Sequence, residues 1–341
     1  MTDAEVAPRA ARGPAARGTL VQRVRAGAIT GASWVACHLP EGPQVVLAEL
    51  VGELSYRMMP GRAALVRRNL RRVVRHLAAT DLANPRARAA AADPRALETL
   101  VRAAFRHRAR YYLEILRAPS LNATVFDKRL VVENLDEVDR VLAEERPTVF
   151  ISAHFGPIEL PGLFLAYRSP RPVTAPMETV DDPPLQAWFE RTRSVFGVRI
   201  VGLREARREL QAALGRGESV GLVADRDISG GGIEVPFFGA PAPLPIGPAL
   251  LATETGAPIR LAGVWRTGRL GYRGRLDDVP VQREGGRRER TTATLVAEAQ
   301  AFERMIAHAP EQWIAVFFPI WPDLEAQAAG EGEGERKANP R

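Results

Sequence analysis

Apolar residues recur at helical spacing through the first third of the chain and in short β-branched runs through the rest. Residues 21–120 predict helices, which are interrupted near Pro60-Gly61 and by the Ala-rich stretch from Asp81 to Pro94. From about residue 130, β-branched runs alternate with helical segments. The predicted strands lie near 148–153, 172–175, 198–202, 219–224, 258–264 and 314–317. The pattern therefore indicates an α/β sheet with a helical N-terminal portion.

Length and composition favour one enzyme-sized unit. The chain has 341 residues, of which 46% are hydrophobic, so it can bury a large core. We predict a single domain over residues 21–324, with a helical part at 21–120 and an α/β core at 121–324. Residues 1–20 and 325–341 are polar or rich in Gly and Ala. We expect these two ends to be disordered tails.

The best candidate for a catalytic centre follows the strand predicted at 148–152. Gly156-Pro157 is typical of a turn followed by the first helical residue, so His154 is expected at a strand's carboxyl end, where open α/β sheets place their ligands. An imidazole can take a proton from an attacking hydroxyl, and a carboxylate such as Glu159 can orient its ring. A structural alternative remains: with Gly156 as N-cap, Glu159 is at N3 and satisfies the helix end.

Two other acidic positions compete with Glu159 as the partner of His154. Asp225 and Arg226 follow the strand predicted at 219–224, which is another carboxyl-end location. They fit either a structural ion network or the shaping of an acceptor site. Glu234, just before an aromatic turn, is a possible second catalytic carboxylate. The sequence leaves the choice among Glu159, Asp225 and Glu234 open.

Positive charge is concentrated in one early segment. Between Leu54 and Thr80 the chain has seven arginines and no acid, while apolar residues recur at helical spacing. Such a helix fits an anionic membrane surface, with its apolar stripe in the interface, and fits equally a core-facing helix with a solvated basic face. Nucleic acid is disfavoured, because the segment lacks interleaved aromatics and no DNA-binding motif is present. The apolar residues of the stripe are Val66, Leu70, Val73 and Leu77.

The length of the apolar stretches and the numbers of Cys and His residues limit the possible locations and chemistries of the protein. The stretch Ala26–Leu39 is shorter than the roughly 18 to 20 residues that cross a bilayer, and no signal-peptide core is evident. We therefore expect a peripheral protein at the cytoplasmic face of the plasma membrane. Cys37 is the single cysteine and the five histidines are dispersed, so no metal site and no redox chemistry is predicted.

Several ordered motifs resemble one known family. His154 to Glu159 matches a His-x4-Asp/Glu signature, and three later blocks follow in order, so the similarity covers roughly residues 20 to 322. The chain resembles the bacterial lipid A biosynthesis (lauroyl/myristoyl) acyltransferases and, more closely, their actinobacterial relatives, the phosphatidylinositol mannoside acyltransferases. It lacks the His-Arg-Arg ending typical of the lipid A enzymes. The later blocks are 217–227, then 235–239 with 247–252, then 309–313 with 319–321.

The resemblance implies a glycerolipid acyltransferase-like fold, with a mixed central sheet flanked by helices. It also implies transfer of a fatty acyl chain from an acyl thioester, with acyl-CoA favoured over an acyl carrier protein, to a hydroxyl of a phosphatidylinositol mannoside. No cofactor beyond that co-substrate is expected. His154 would be the base and Glu159 its first-preference partner. The region where relatives bind a substrate headgroup contains Glu178, Arg191 and Arg193.

Two alternative functions remain at this point. A lipid A type enzyme would take its acyl chain from a carrier protein. A thioester or lipid hydrolase would use the same His/Glu pair with water in place of the acceptor hydroxyl.

Overall fold

The N-terminal part of the chain is helical, and several of its helices begin at a side-chain cap or at a proline. The computed structural model describes residues 18–144, 146–177, 182–194, 197–228 and 230–328. Pro60, Pro85 and Pro94 each occupy the first helical position, where proline loses no hydrogen bond. The Asn84 and Asp93 side chains accept from backbone N–H groups and cap two of these helices. The five helices are α1 (Leu20–His38), α2 (Glu41–Met58), α3 (Pro60–Ala79), α4 (Pro85–Ala92) and α5 (Pro94–Arg117).

The apolar stripe of α3 faces the core. Its four members, from Val66 to Leu77, are fully buried. Several of its arginines are bound to acids from elsewhere: Arg67 to Glu98 at 2.6 Å and Arg68 to Glu325 at 3.2 Å. The interpretation in which this stripe enters a membrane is therefore wrong, because the stripe is already covered by protein, and the core-facing alternative is correct.

A seven-stranded mixed sheet forms the centre of the rest of the chain. Its strand order is β1-β9-β8-β2-β5-β3-β4, and the five strands from β8 to β4 are parallel to one another. Strand β9 is antiparallel to β8, and β1 is parallel to β9. The strands are β1 (Leu130–Val132), β2 (Val149–Ser152), β3 (Val173–Met177), β4 (Val198–Gly202), β5 (Ser219–Val223), β8 (Ile259–Thr267) and β9 (Gly271–Val279), with a separate hairpin of β6 (Ile233–Phe237) and β7 (Ala240–Leu244).

Helices cover both faces of this sheet. Successive side chains of β2 alternate between two core clusters: Phe150 packs into one and Ile151 into the other. Because both faces are buried, β2 is a continuous apolar run rather than an alternating one. The predicted fold class, a mixed central sheet flanked by helices with a helical N-terminal region, is confirmed. The later helices are α6 (Ala123–Arg129), α7 (Leu135–Ala143), α8 (Glu159–Arg168), α9 (Pro183–Ser194), α10 (Ala206–Gly215), α11 (Gly247–Thr255) and α12 (Arg287–Ala307).

Some strand predictions differ from the structure. The segment predicted as a strand at 314–317 is a 3₁₀ helix, Ile314–Phe317, because a short buried apolar run fits either structure and periodicity does not separate them. The strands β1, β9 and the β6–β7 hairpin were not predicted. Pro236 and Pro243 lower the strand signal of the hairpin, which tolerates them because it has only two strands.

The end of the described chain docks on α3. Residues 322–328 are helical, and Asp323 and Glu325 in this segment pair with Arg72 and Arg68. The predicted domain end at 324 falls inside this helical segment. The tails were predicted at 1–20 and 325–341. Leu20 and residues 325–328 are helical, so the expectation of disorder is wrong there, and residues 1–17 and 329–341 lie outside the described residues.

One buried carboxyl lies in the middle of α12. Glu298 is fully buried, and neither of its side-chain oxygens has a hydrogen-bond partner among the described residues. Burial raises the pKa of Glu298 well above its ordinary value of 4.5, so the carboxyl is kept in its neutral form.

We expect Glu298→Met to stabilise the fold in a pH-dependent way. The folded state of the wild type holds a proton that the unfolded chain releases above pH 4.5, so wild-type stability falls as pH rises from there. The midpoint of thermal unfolding of Glu298→Met should exceed the wild-type value at pH 7.5 by about 2 °C or more. The difference should shrink as the pH is lowered to 4.5. Glu298→Gln is the matched variant that only removes the ionisation, and a difference independent of pH would contradict the assignment.

Candidate active site

His154 and Asp225 form a hydrogen-bonded pair at one edge of the sheet. They follow β2 and β5, which are adjacent and parallel, with Ser152 opposite Val223. The carboxyl ends of these strands therefore bring the two side chains together, and His154 Nδ1 lies 2.6 Å from Asp225 Oδ1. With the Nδ1 proton directed at Asp225, Nε2 is the nitrogen that can accept another proton. Among the described residues, nothing is hydrogen-bonded to Nε2.

Asp225 is fully buried and has both oxygens occupied. Trp313 Nε1–H donates to Asp225 Oδ2 at 2.6 Å, while Oδ1 faces His154. Burial by itself raises the pKa of Asp225, but the charge of His154 and the hydrogen bonds from His154 and Trp313 outweigh it. The pKa therefore lies below its ordinary value. The pair thus consists of an ionised buried carboxylate and an imidazole that is one quarter exposed.

The backbone around His154 is fixed by the segment that carries Trp313. Ile314 N donates to His154 O at 2.7 Å, and Gly156 N donates to Gln312 O at 3.0 Å. Gly156 has a φ of +59°, and a Cβ there would lie 2.1 Å from Val264 O. Only glycine fits this position, because the conformation is left-handed and a neighbouring strand leaves no space.

A buried arginine also stabilises the same turn. Arg266 Nη2 donates to Gly156 O at 3.1 Å, and its Nε donates to Glu114 Oε1 at 2.7 Å. The amide of Gln312 bonds the backbone of Arg266 in both directions, at 2.9 and 3.0 Å. Helix α5, strand β8 and the terminal segment, which comprises residues 309–318, are thereby tied to the turn that presents His154.

A cavity of about 550 Å³ adjoins this turn. One wall is formed by Pro157, Ile158 and Glu159, and the other walls come from α1, α5 and α6. This volume lies within the roughly 300–1,000 Å³ range of small-molecule sites. The lining mixes apolar side chains such as Ile115 with charged ones such as Arg117.

Glu159 is the first residue of α8, and Ile158 rather than Gly156 is the N-cap. The carboxylate at His154 Nδ1 is that of Asp225, so the contact expected by first preference from Glu159 is made by Asp225. The reason is geometric: Nδ1 faces the neighbouring strand β5, whereas Glu159 lines the cavity. Glu234 is exposed on β6, opposite Pro243, and is not bonded to His154.

The structure describes only some of the residues that are predicted to bind the substrate headgroup. Arg191 lies on the exposed side of α9. Arg193 belongs to the same helix, but its side chain lies outside the described residues, and so does the whole of Glu178. Arg226 stacks on Phe318, with its Cζ 3.9 Å from the ring centroid.

Two features are absent from the described part of the chain. No group of three His, Cys, Asp or Glu side chains there is arranged to hold a metal ion. None of the described helices combines the length and the apolar character needed to cross a bilayer.

The comparisons with known proteins decide the family. Residues 26–318 match the family described as bacterial lipid A biosynthesis acyltransferase. The chain belongs to this family. The resemblance inferred from the motifs is therefore confirmed.

Curated relatives of this acyltransferase-family chain include two phosphatidylinositol mannoside acyltransferases. The protein from Mycobacterium tuberculosis is 32% identical over 166 residues, which are 47% of this chain and 52% of the relative. The protein from Mycolicibacterium smegmatis is 29% identical over 175 residues, which are 50% of this chain and 57% of the relative. The chain thus spans about half the length of the curated relatives it matches.

Sequence reasoning missed the residues that complete the candidate site from a distance. Trp313 belongs to the terminal block that resembles the family, but nothing local indicates that its indole reaches Asp225. Arg266 lies within a strand, where an arginine gives no signal of burial. Glu114 and Gln312 hydrogen-bond to Arg266, and nothing in the sequence around them indicates this contact either.

We expect Gly156→Ala to destabilise the protein by about 3 kcal/mol or more, because the added Cβ meets backbone and φ is positive. Chemical denaturation measures the loss. Gly162→Ala is the matched control, since a Cβ at Gly162 in α8 meets nothing within 4 Å. This control should be neutral or more stable by about 0.5–1 kcal/mol. Equal stability of the two variants would contradict the close approach.

Proposed function

We propose that the protein transfers a fatty acyl chain from an acyl thioester to a hydroxyl group of a glycolipid, with His154 as general base. The observation that carries this proposal is the His154–Asp225 pair at the carboxyl edge of the sheet, in a chain of an acyltransferase family. One quarter of the His154 side chain is open to solvent, so its Nε2 is available to a substrate.

In this mechanism Nε2 of His154 takes the proton of the acceptor hydroxyl as its oxygen attacks the thioester carbonyl carbon. The new ester bond forms, the carbon–sulfur bond breaks, and the imidazolium returns its proton to the departing thiolate. Asp225 keeps the ring in the useful tautomer and stabilises the imidazolium. Because a thiolate leaves readily, no covalent enzyme intermediate is required.

The names of two relatives support the acceptor. These relatives share 29–32% identity with this chain and are named phosphatidylinositol mannoside acyltransferases, so we favour a phosphatidylinositol mannoside as acceptor. Acyl-CoA is the donor that we propose with it. No further cofactor takes part. The cavity beside Glu159 is large enough to receive part of a substrate. A carrier-protein donor with a lipid A type acceptor and a hydrolase remain the competing assignments.

Helix α2 supports a lipid environment, because its polarity is the reverse of that of a helix in water. Its outer face carries Leu50, Leu54 and Met58, all more than half exposed. Its glutamates pair with arginines of α5 instead. Glu49 lies 3.4 Å from Arg110, and Glu53 also forms a salt bridge with an arginine of α5. An ordinary surface helix exposes its charges and buries its apolar residues.

Helix α1 also exposes apolar residues. Val24, Trp34 and Leu39 are each more than half exposed, and residues 26–40 contain no charged Asp, Glu, Lys or Arg. A large exposed apolar face marks an interaction site, and the lipid nature of the proposed acceptor favours a bilayer as the partner. We infer that α1 and α2 rest on the cytoplasmic face of the membrane.

We expect His154→Ala and Asp225→Asn each to lower acyl transfer about 100-fold or more. Glu159→Gln should retain more activity than Asp225→Asn, because Asp225 holds the imidazole. The assay follows radiolabelled palmitoyl-CoA with phosphatidylinositol mannoside, resolved by thin-layer chromatography. Label found only in free fatty acid would favour a hydrolase. Equal inactivation by Glu159→Gln would return Glu159 to the catalytic pair.

We expect the double variant Leu50→Ser/Leu54→Ser to lose binding to vesicles of phosphatidylinositol and phosphatidylethanolamine. Removing two exposed leucines should weaken binding about tenfold or more, since each fully buried side chain contributes roughly 1.5–3 kcal/mol. Vesicle flotation measures the bound fraction. Val131→Ser, which removes an exposed apolar side chain from β1, is the matched control and should bind as the wild type does. Unchanged flotation of the double variant would contradict the assignment of this surface.

A further inference from the structure

Three arginines from distant parts of the chain meet at the dipeptide Phe317–Phe318. Arg62 Nη1 donates to Phe317 O at 2.6 Å. Arg108 lies over the Phe317 ring, with its Cζ 4.8 Å from the ring centroid. Arg226 lies over the Phe318 ring at 3.9 Å. All three guanidinium groups therefore contact the same dipeptide, whose two Cα atoms are about 3.8 Å apart.

These three arginines differ from their neighbours in lacking an acid. Within the described part of the chain, no carboxylate lies within 4 Å of Arg62, Arg108 or Arg226. Nearby arginines of α3 and α5 are neutralised instead, as Arg67 is by Glu98 at 2.6 Å and Arg110 is by Glu49 at 3.4 Å. The region around Phe317–Phe318 therefore carries positive charge that the described protein leaves unbalanced.

The cluster lies next to the proposed reacting centre. Arg226 directly follows Asp225, the partner of His154. Phe317 and Phe318 end the 3₁₀ segment that begins after Trp313, whose indole bonds the same Asp225. The His154–Asp225 pair and the arginine cluster are thus tied to one short stretch of backbone.

A guanidinium stacked on an aromatic ring is held in place while its N–H groups remain directed outward. Its planar fork matches phosphate oxygens with two parallel hydrogen bonds. Three guanidinium groups without acids, two of them stacked and all in contact with one dipeptide, favour a bound anion that carries phosphate. Both substrates of the proposed reaction carry phosphate.

We propose that Arg62, Arg108 and Arg226 bind a substrate phosphate beside the His154–Asp225 pair. The proposal rests on the proposed function, because the phosphate is that of the acyl donor's coenzyme A or that of the phosphatidylinositol acceptor. Bound there, the phosphate anchors the substrate from a point beyond the reacting groups, so its binding energy positions those groups near His154.

The experiment measures binding of two probes that need no chemical step. Free coenzyme A stands for the donor and glycerophosphoinositol for the acceptor, and titration calorimetry at low salt gives the Kd of each. Arg226→Gln carries the test, because the Arg226 guanidinium has no hydrogen bond among the described residues whose loss would disturb the fold. Arg62→Gln and Arg108→Gln follow, each checked by thermal unfolding. Arg71→Gln is the control, since Arg71 is an exposed arginine of α3 about 13 Å along the helix from Arg62.

Arg226→Gln should weaken the binding of one probe about tenfold, while Arg71→Gln stays within twofold. Loss for coenzyme A assigns the site to the donor, and loss for glycerophosphoinositol assigns it to the acceptor. Arg226→Lys should recover part of the affinity, because it keeps the charge but not the fork. The proposal is overturned if the wild type binds neither probe, or if Arg226→Gln and Arg71→Gln behave alike. Normal probe binding without any acyl transfer would refute the proposed function and leave the phosphate site standing.

Discussion

The site depends on one buried negative charge. Asp225 is out of contact with solvent, and an ionised carboxylate in that position is strongly unfavourable unless both oxygens are satisfied. His154 occupies one oxygen and the Trp313 indole occupies the other. The end of β5, the turn after β2 and the terminal segment are therefore held in one arrangement by the same carboxylate. Whatever weakens one of these two contacts leaves the charge less compensated and affects all three segments.

Local sequence patterns were sufficient to predict the two strands that precede His154 and Asp225. The apolar runs before His154 and Asp225 predict strands, and both are strands of the parallel part of the sheet. That these strands are neighbours is a matter of sheet order, which no local pattern contains. For this reason the sequence leaves three carboxylates in competition for His154. The contribution of Trp313, 88 residues from Asp225, depends on the same long-range arrangement.

The basic and apolar helices show a second limit of sequence reasoning. A helical pattern indicates that a helix has two unlike faces but not what each face meets. In α3 the apolar face meets the core, and several arginines meet acids remote in sequence, such as Glu98. In α2 the acids meet the protein and the apolar residues face outward. Only the positions of α5 and the terminal segment decide between these cases, and both are results of folding.

The place of Trp313 in the chain has a consequence for synthesis on the ribosome. The strands that carry His154 and Asp225 leave the exit tunnel long before residue 313 does, and domains form in the order of their emergence. Until the terminal segment arrives, the turn at Gly156 lacks its partner Gln312 and Asp225 lacks the indole. A nascent chain therefore carries the two site residues in an unassembled state. The pair acquires its final geometry only after residue 313 has been translated.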